Sequence, residues 1–137
     1  MMFGSHIVKS WSKDQSVIAL SSGEAELYAA NMGGIQALGM KSFLCDVGVK
    51  INVKILIDAK AALGIIGRQG LGKVRHIEVQ DLWLQEKVKG KIVTVEKVAS
   101  KANVADLMTK PLSAEEINEH ICNMGCRFEL PEMKGES

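Results

Sequence analysis

Ser21-Ser22-Gly23-Glu24-Ala25-Glu26-Leu27-Tyr28-Ala29 is the stretch on which the fold turns. A serine followed three residues later by a glutamate is a capping box. The hydroxyl accepts a hydrogen bond from an early helical N–H, and the carboxylate reaches back toward the cap. Ser21 is therefore the N-cap and Glu24 its partner, and the helix is predicted to run to about Asp46. Gly33, Gly34 and Gly39 lie inside it. Each costs ~1 kcal/mol against alanine in a helix interior. Tertiary packing must offset that cost, and small residues there imply close approach to a neighbour.

Working outward, residues 6–20 read as extended, with Ile7, Val8, Trp11, Val17 and Ile18 supplying β-branched and aromatic content. Residues 50–57 form the strongest strand, which ends at Asp58, and residues 59–66 a short helix. A glycine-rich loop follows at 67–72. Its glycines do not follow a strand in the spacing of a phosphate loop. Ile77, Leu82, Trp83, Leu84 and Val88 mark a helical face over about 74–89, and residues 91–98 a further strand. Asn103 can cap a helix through Asp106 to Met108, which Pro111 limits. Ser113 caps a last helix with Glu115 and Glu116 in its first turn, and Ile117, Ile121 and Met124 on its apolar face. Strands and helices alternate through most of this order, which is a mixed α/β layer.

The 137 residues are a prior for one domain, and 47% hydrophobic with 24% charged residues is a globular balance, not a disordered or fibrous one. Net charge is +1, but residues 60–101 carry nine Lys/Arg against four Asp/Glu, and residues 102–137 three against seven. A basic middle can bind a polyanion locally, while a solvated charged face is the plain alternative. Three widely spaced cysteines, Cys45, Cys122 and Cys126, make a disulfide framework unlikely. They point instead to a reducing intracellular compartment, cytoplasm or nucleus. His120 with Cys122 and Cys126 is poor spacing for structural zinc, and helix packing is the reading preferred. No leader and no membrane span is expected, since no run of eighteen apolar residues occurs.

Three carboxylates fall at element boundaries. Asp58 closes a strand, where open α/β sheets collect ligands. Glu26 lies in the first turns of the long helix and Asp106 near the start of a late one. Acids gathered from separate elements suit a hard divalent cation, Mg²⁺ or Mn²⁺. Ordinary capping is the competing role for acids at helix starts.

Several runs resemble the RNase H domain of copia-type LTR retrotransposon Pol polyproteins, in order and approximate spacing. They are Ser10-Trp11-Ser12-Lys13-Asp14-Gln15, Ala19-Leu20-Ser21-Ser22-Gly23-Glu24-Ala25-Glu26-Leu27-Tyr28-Ala29, Ile57-Asp58 and Arg75-His76-Ile77-Glu78. Gly90-Lys91-Ile92, Val98 and Ala105-Asp106-Leu107-Met108-Thr109-Lys110-Pro111-Leu112 complete the set. The likeness spans about residues 6–112. It implies an RNase H-like domain over 1–112, with a C-terminal helix and tail over 113–137.

What the resemblance implies is a five-stranded mixed sheet flanked by helices, and two-metal hydrolysis of the RNA strand of RNA–DNA hybrids. Carried over by position, the metal-binding and catalytic acids are Glu26, Asp58 and Asp106, with Mg²⁺ or Mn²⁺ as cofactor. Glu24 keeps its capping role. His76 matches a recurrent family histidine, for which a packing or helix-start role is preferred over catalysis. Lys73, Arg75, His76, Lys87, Lys89 and Lys91 are the expected nucleic-acid contacts.

The family's first, central strand carries an aspartate, but only ten residues precede Trp11 and none is acidic. That strand and its acid are expected to be missing, which leaves the catalytic set incomplete and the sheet open-edged. Two readings follow. One is an impaired ribonuclease acting on hybrids. The other is a catalytically inactive, truncated or co-opted module in a larger assembly, favoured by Met1-Met2 reading as a start. Either calls for a protein chain over the open edge, or for self-association.

Overall fold

A computed structural model describes residues 1–11, 18–70 and 82–126. The chain forms two compact units, Ser12–Asn103 and Met1–Trp11 with Val104–Ser137. The first is an α/β layer. Its long helix α1 spans Ser22–Asp46, followed by strand β3 at Val53–Ile57, helix α2 at Lys60–Ile66, helix α3 at Trp83–Lys89 and strand β4 at Val93–Lys97. Strands β1 (Met2–Phe3) and β2 (His6–Ile7) and helix α4 (Ala114–Asn123) belong to the second unit.

The predicted cap of α1 is present. The Ser21 hydroxyl accepts from the Glu24 N–H at 3.3 Å, and Glu24 Oε2 accepts from the Leu20 N–H at 2.9 Å. Only 3% of Glu24 remains exposed, and the Leu20 N–H is a backbone donor to its buried carboxylate. Gly23, Leu27, Ala30 and Gly34 follow at helical spacing as the buried stripe. A methyl built on Gly23 would lie 2.7 Å from Ala61 Cβ in α2. One built on Gly34 would lie 3.3 Å from both Ile55 Cδ1 and Trp83 Cη2. Gly34, one of the three glycines the sequence marks as costly, and Gly23 in the first turn thus sit where the helix meets its partners. Gly33 and Gly39 face open space.

Strands β3 and β4 pair in parallel from Val53↔Val93 to Ile57↔Lys97, and the Val98 N–H extends the ladder to the Ile57 carbonyl at 3.0 Å. Val53, Ile57 and Val93 turn inward onto Leu27, Ala62, Ile65, Ile66, Leu82 and Leu84. The other face carries exposed Lys54, Leu56, Thr94 and Glu96, with Lys54 and Glu96 paired at 2.8 Å. That pair is half exposed, so it adds little stability.

Among the described residues, four strands form two two-stranded sheets. The α/β class stands. Strand β4 starts at Val93 rather than 91 because the end of α3 takes up the residues before it. The Lys91 N–H donates to the Val88 carbonyl at 3.0 Å and the Ile92 N–H to Lys87 at 2.9 Å, with Lys91 left-handed at φ 56°. This is a Schellman closure, and α1 and α4 end the same way on Gly48 and Gly125.

In the second unit, β1 and β2 form a hairpin through Gly4, at φ 61°, in the register Met2↔Ile7. The Ile7 N–H donates to the Met124 carbonyl at the end of α4. Ser113 and Glu116 complete a reciprocal capping box on α4. His120 is its buried residue and Met124, at its C-cap, is buried too, whereas Ile117 and Ile121 are half-buried. The predicted helix after Asn103 is a short 3₁₀ turn, Val104–Met108. Cys45 and Cys122 are exposed and Cys126 is half-buried, all three as free thiols. No described helix is long and apolar enough to cross a membrane.

The close contact at Gly23 makes a paired test. Gly23→Ala should destabilise by ~1–3 kcal/mol through overpacking. Gly33→Ala, in open space, should stabilise by ~1 kcal/mol through helix propensity. Denaturant midpoints moving in opposite directions is the expected result, and a neutral Gly23→Ala would contradict this packing.

Candidate functional site

Two of the three carried-over acids lie in the first unit, and the packing of α1 decides where. Its N-terminal turn meets α2 at Ala61, and Gly34, three turns on, meets Ile55 in the middle of β3. The helix therefore runs antiparallel to β3, and its N-terminus lies at the C-terminal end of the parallel strands. Glu26 is one turn beyond Gly23, beside the buried stripe, and is half-buried. Asp58 is the first residue past β3 and precedes α2, also half-buried. Both carboxylates occupy the same end of the unit, where parallel strands present ligand-binding loops.

Asp106 lies in the other unit, 7% exposed, in the Val104–Met108 turn. Its Oδ2 accepts from Lys110 Nζ at 2.8 Å, an i,i+4 ion pair, and its backbone carbonyl accepts from the Thr109 and Lys110 N–H groups. The carboxylate thus has a structural occupation within the Asp-x-x-Thr-Lys run itself. No set of three or more His, Cys, Asp or Glu side chains that could hold a metal gathers among the described residues. Glu26 and Asp58 each already have an interaction partner within the protein; carboxylates are the donor type that a magnesium ion takes.

Of the expected phosphate contacts, Lys73, Arg75 and His76 lie outside the described residues. Lys87 is half-buried on α3, and Lys89 and Lys91 are exposed at its end. Cations in the last turn of α3 also complement its dipole.

Among the buried polar residues, the sequence reads His120 as helix packing and passes over Gln85. His120 is 3% exposed, and its Nδ1 has no hydrogen-bond partner among the described residues. Gln85 is 8% exposed, and its amide bonds to the backbone of Ile65 and Gly70. Gln85 carries no local signal. A glutamine among Leu82, Trp83, Leu84 and Val88 reads as a helix surface position until the distant carbonyls it meets are known.

Over 104 residues the chain is 32% identical to the retrovirus-related Pol polyprotein from transposon TNT 1-94 of Nicotiana tabacum. The match covers 74% of this chain and 8% of that protein, so the chain spans a small fraction of its relative's length. No family model matches the chain. No solved structure matches it either. The likeness supports an origin in a retrotransposon Pol polyprotein.

The Asp106–Lys110 pair can be measured by a double-mutant cycle of Asp106→Asn and Lys110→Met. Lys110 is half exposed, so solvent screening limits the expected coupling to ~0.5–1 kcal/mol. Zero coupling in urea unfolding would mean the pair contributes nothing to the turn.

Proposed function

We propose, from its retrotransposon Pol origin, that the chain is an RNase H-like module acting on the RNA strand of RNA–DNA hybrids. The observation that carries this reading is the placement of Glu26 and Asp58, both in motif runs of the resemblance, at one end of the parallel pair. Asp106 is the third acid that the resemblance supplies. Bound there, a divalent cation would activate water and stabilise the leaving oxygen of a phosphodiester.

The chain's own residues supply the frame. The buried stripe of α1 holds Glu26 against rotation, and pairing of β3 with β4 fixes the backbone that ends in Asp58. Lys87, Lys89 and Lys91 on and beyond α3 neutralise phosphates and position the hybrid, a contribution that weakens as salt rises. Strands β3 and β4 each have one neighbour among the described residues. Parallel strands ordinarily sit inside larger sheets covered on both faces. A further strand, from another chain or another segment of a longer polypeptide, completes this sheet and adds a carboxylate. Alone, the chain turns over slowly.

The test is hybrid cleavage in Mg²⁺ and in Mn²⁺. Slow cleavage of the RNA strand is expected, with Asp58→Asn reducing the rate by about 100-fold, roughly 2.7 kcal/mol of barrier. Folded protein that leaves hybrids intact, or cleaves equally as Asp58→Asn, would contradict the reading.

A further inference from the structure

The second half of α1 has little to hold it as a helix. Every buried residue of α1 lies between Gly23 and Gly34, and none from Ile35 to Asp46 is buried. A stretch of that length is marginal as an isolated helix in water, because helices in proteins draw most of their stability from a packed face. Ala37 and Leu38 lean on the core and supply part of it. The opposite side is apolar as well. Met32, Ile35, Phe43 and Val47 are exposed, Ile35 by 50% and Phe43 by 61%, and with Gly39 they recur at spacings of three and four. No Asp, Glu, Lys or Arg occurs from Leu27 to Met40, and Lys41 continues the inward row of Leu27 and Gly34. The outward face of the sheet contrasts with this row, since exposed Lys54, Thr94 and Glu96 solvate it.

The row is symmetric about Gly39. Ile35 stands four residues before it and Phe43 four after, and a methyl built on Gly39 meets no atom within 4 Å. Two copies related by a two-fold axis present the same patch to each other, so residue i faces j and j faces i. Large, small and large side chains at equal spacing match themselves in this way, and a charge near the axis would face its own copy. We propose that this face binds a second copy of the chain, α1 against α1 antiparallel, with the two-fold axis at Gly39. The two glycines let the helices approach closely there, and Ile35 of each copy packs on Phe43 of the other. Antiparallel alignment also opposes the two helix dipoles. Asp46 falls at the rim and stays solvated. The row from Met32 to Val47 is ~22 Å long at the helical rise. One side chain wide, it covers a few hundred Å² per copy, below the roughly 800 Å² per partner of a standard interface. The dimer is therefore weak, with a dissociation constant of roughly 10–100 µM. This inference does not depend on the hybrid-cleavage reading above.

The test is sedimentation velocity on the full chain in reducing buffer, over about 1 to 200 µM. The unaltered chain should pass from monomer to dimer across that range. Gly39→Arg sets two cations on the axis, and Phe43→Glu removes the apolar partner of Ile35. Both positions are exposed, and arginine is a better helix former than glycine, so each variant keeps its fold and Gly39→Arg melts no lower than the unaltered chain. Each should weaken association at least about tenfold. Leu56→Glu, on the outward face of the sheet, should leave it unchanged. A chain that stays monomeric throughout, or a dimer that survives both α1 variants, would overturn the proposal. So would a dimer lost in Leu56→Glu and kept in the other two, which would place association on the sheet. The axis has its own test. With Cys45→Ser, Cys122→Ser and Cys126→Ser, the added Gly39→Cys should cross-link the dimer through a disulfide under mild oxidation. A chain that dimerises without cross-linking would overturn the placement of the axis at Gly39.

Discussion

The contact between Gly23 and Ala61 sets how closely α1 can approach α2, and the arrangement of the first unit depends on it. With a side chain at 23, the first turn of α1 would be pushed off the start of α2, since the methyl would lie 2.7 Å from Ala61 Cβ. Without one, Leu27 and Ala30 seat with Ala62, Ile57 and Leu84 in one core, and Glu24 of the cap is buried beside it. The same approach brings Glu26 and Asp58 to one end of the parallel strands. Packing and candidate chemistry share one constraint.

Local features were legible in the sequence. The Ser21–Glu24 cap, the end of α1 at Asp46 and the Ser113 cap depend on residues within a turn of one another, and all three occur. Strand limits were less legible. Ile92 is as β-prone as the residues after it, but the N–H groups of Lys91 and Ile92 close the end of α3, so pairing begins at Val93. On α4 the apolar spacing of Ile117 and Ile121 pointed to the buried face, yet His120 is buried more deeply than either. A hydrophobicity pattern ranks histidine as polar and does not register the apolar body of its ring.

The positions of the candidate residues were legible in part, for the same reason. Asp58 and Glu26 could be named from element boundaries and from resemblance, because strand ends and helix starts are places where sequence predicts position. Gln85 could not, since its partners Ile65 and Gly70 lie 20 and 15 residues away. Asp106 carries a competing role that spacing alone allows: an i,i+4 lysine is within reach on any helical turn, and Lys110 takes it. The 104-residue likeness to a transposon Pol polyprotein bears on ancestry.

The most direct measurement is site-resolved broadening of backbone amide signals by substoichiometric Mn²⁺. If Glu26 and Asp58 form a divalent-cation site, the amides of residues 25–27 and 57–59 broaden first, and Asp58→Asn abolishes the effect. Broadening confined to acidic positions elsewhere, such as Glu115, Glu116 and Glu119 on α4, or no selective broadening at all, would contradict the account.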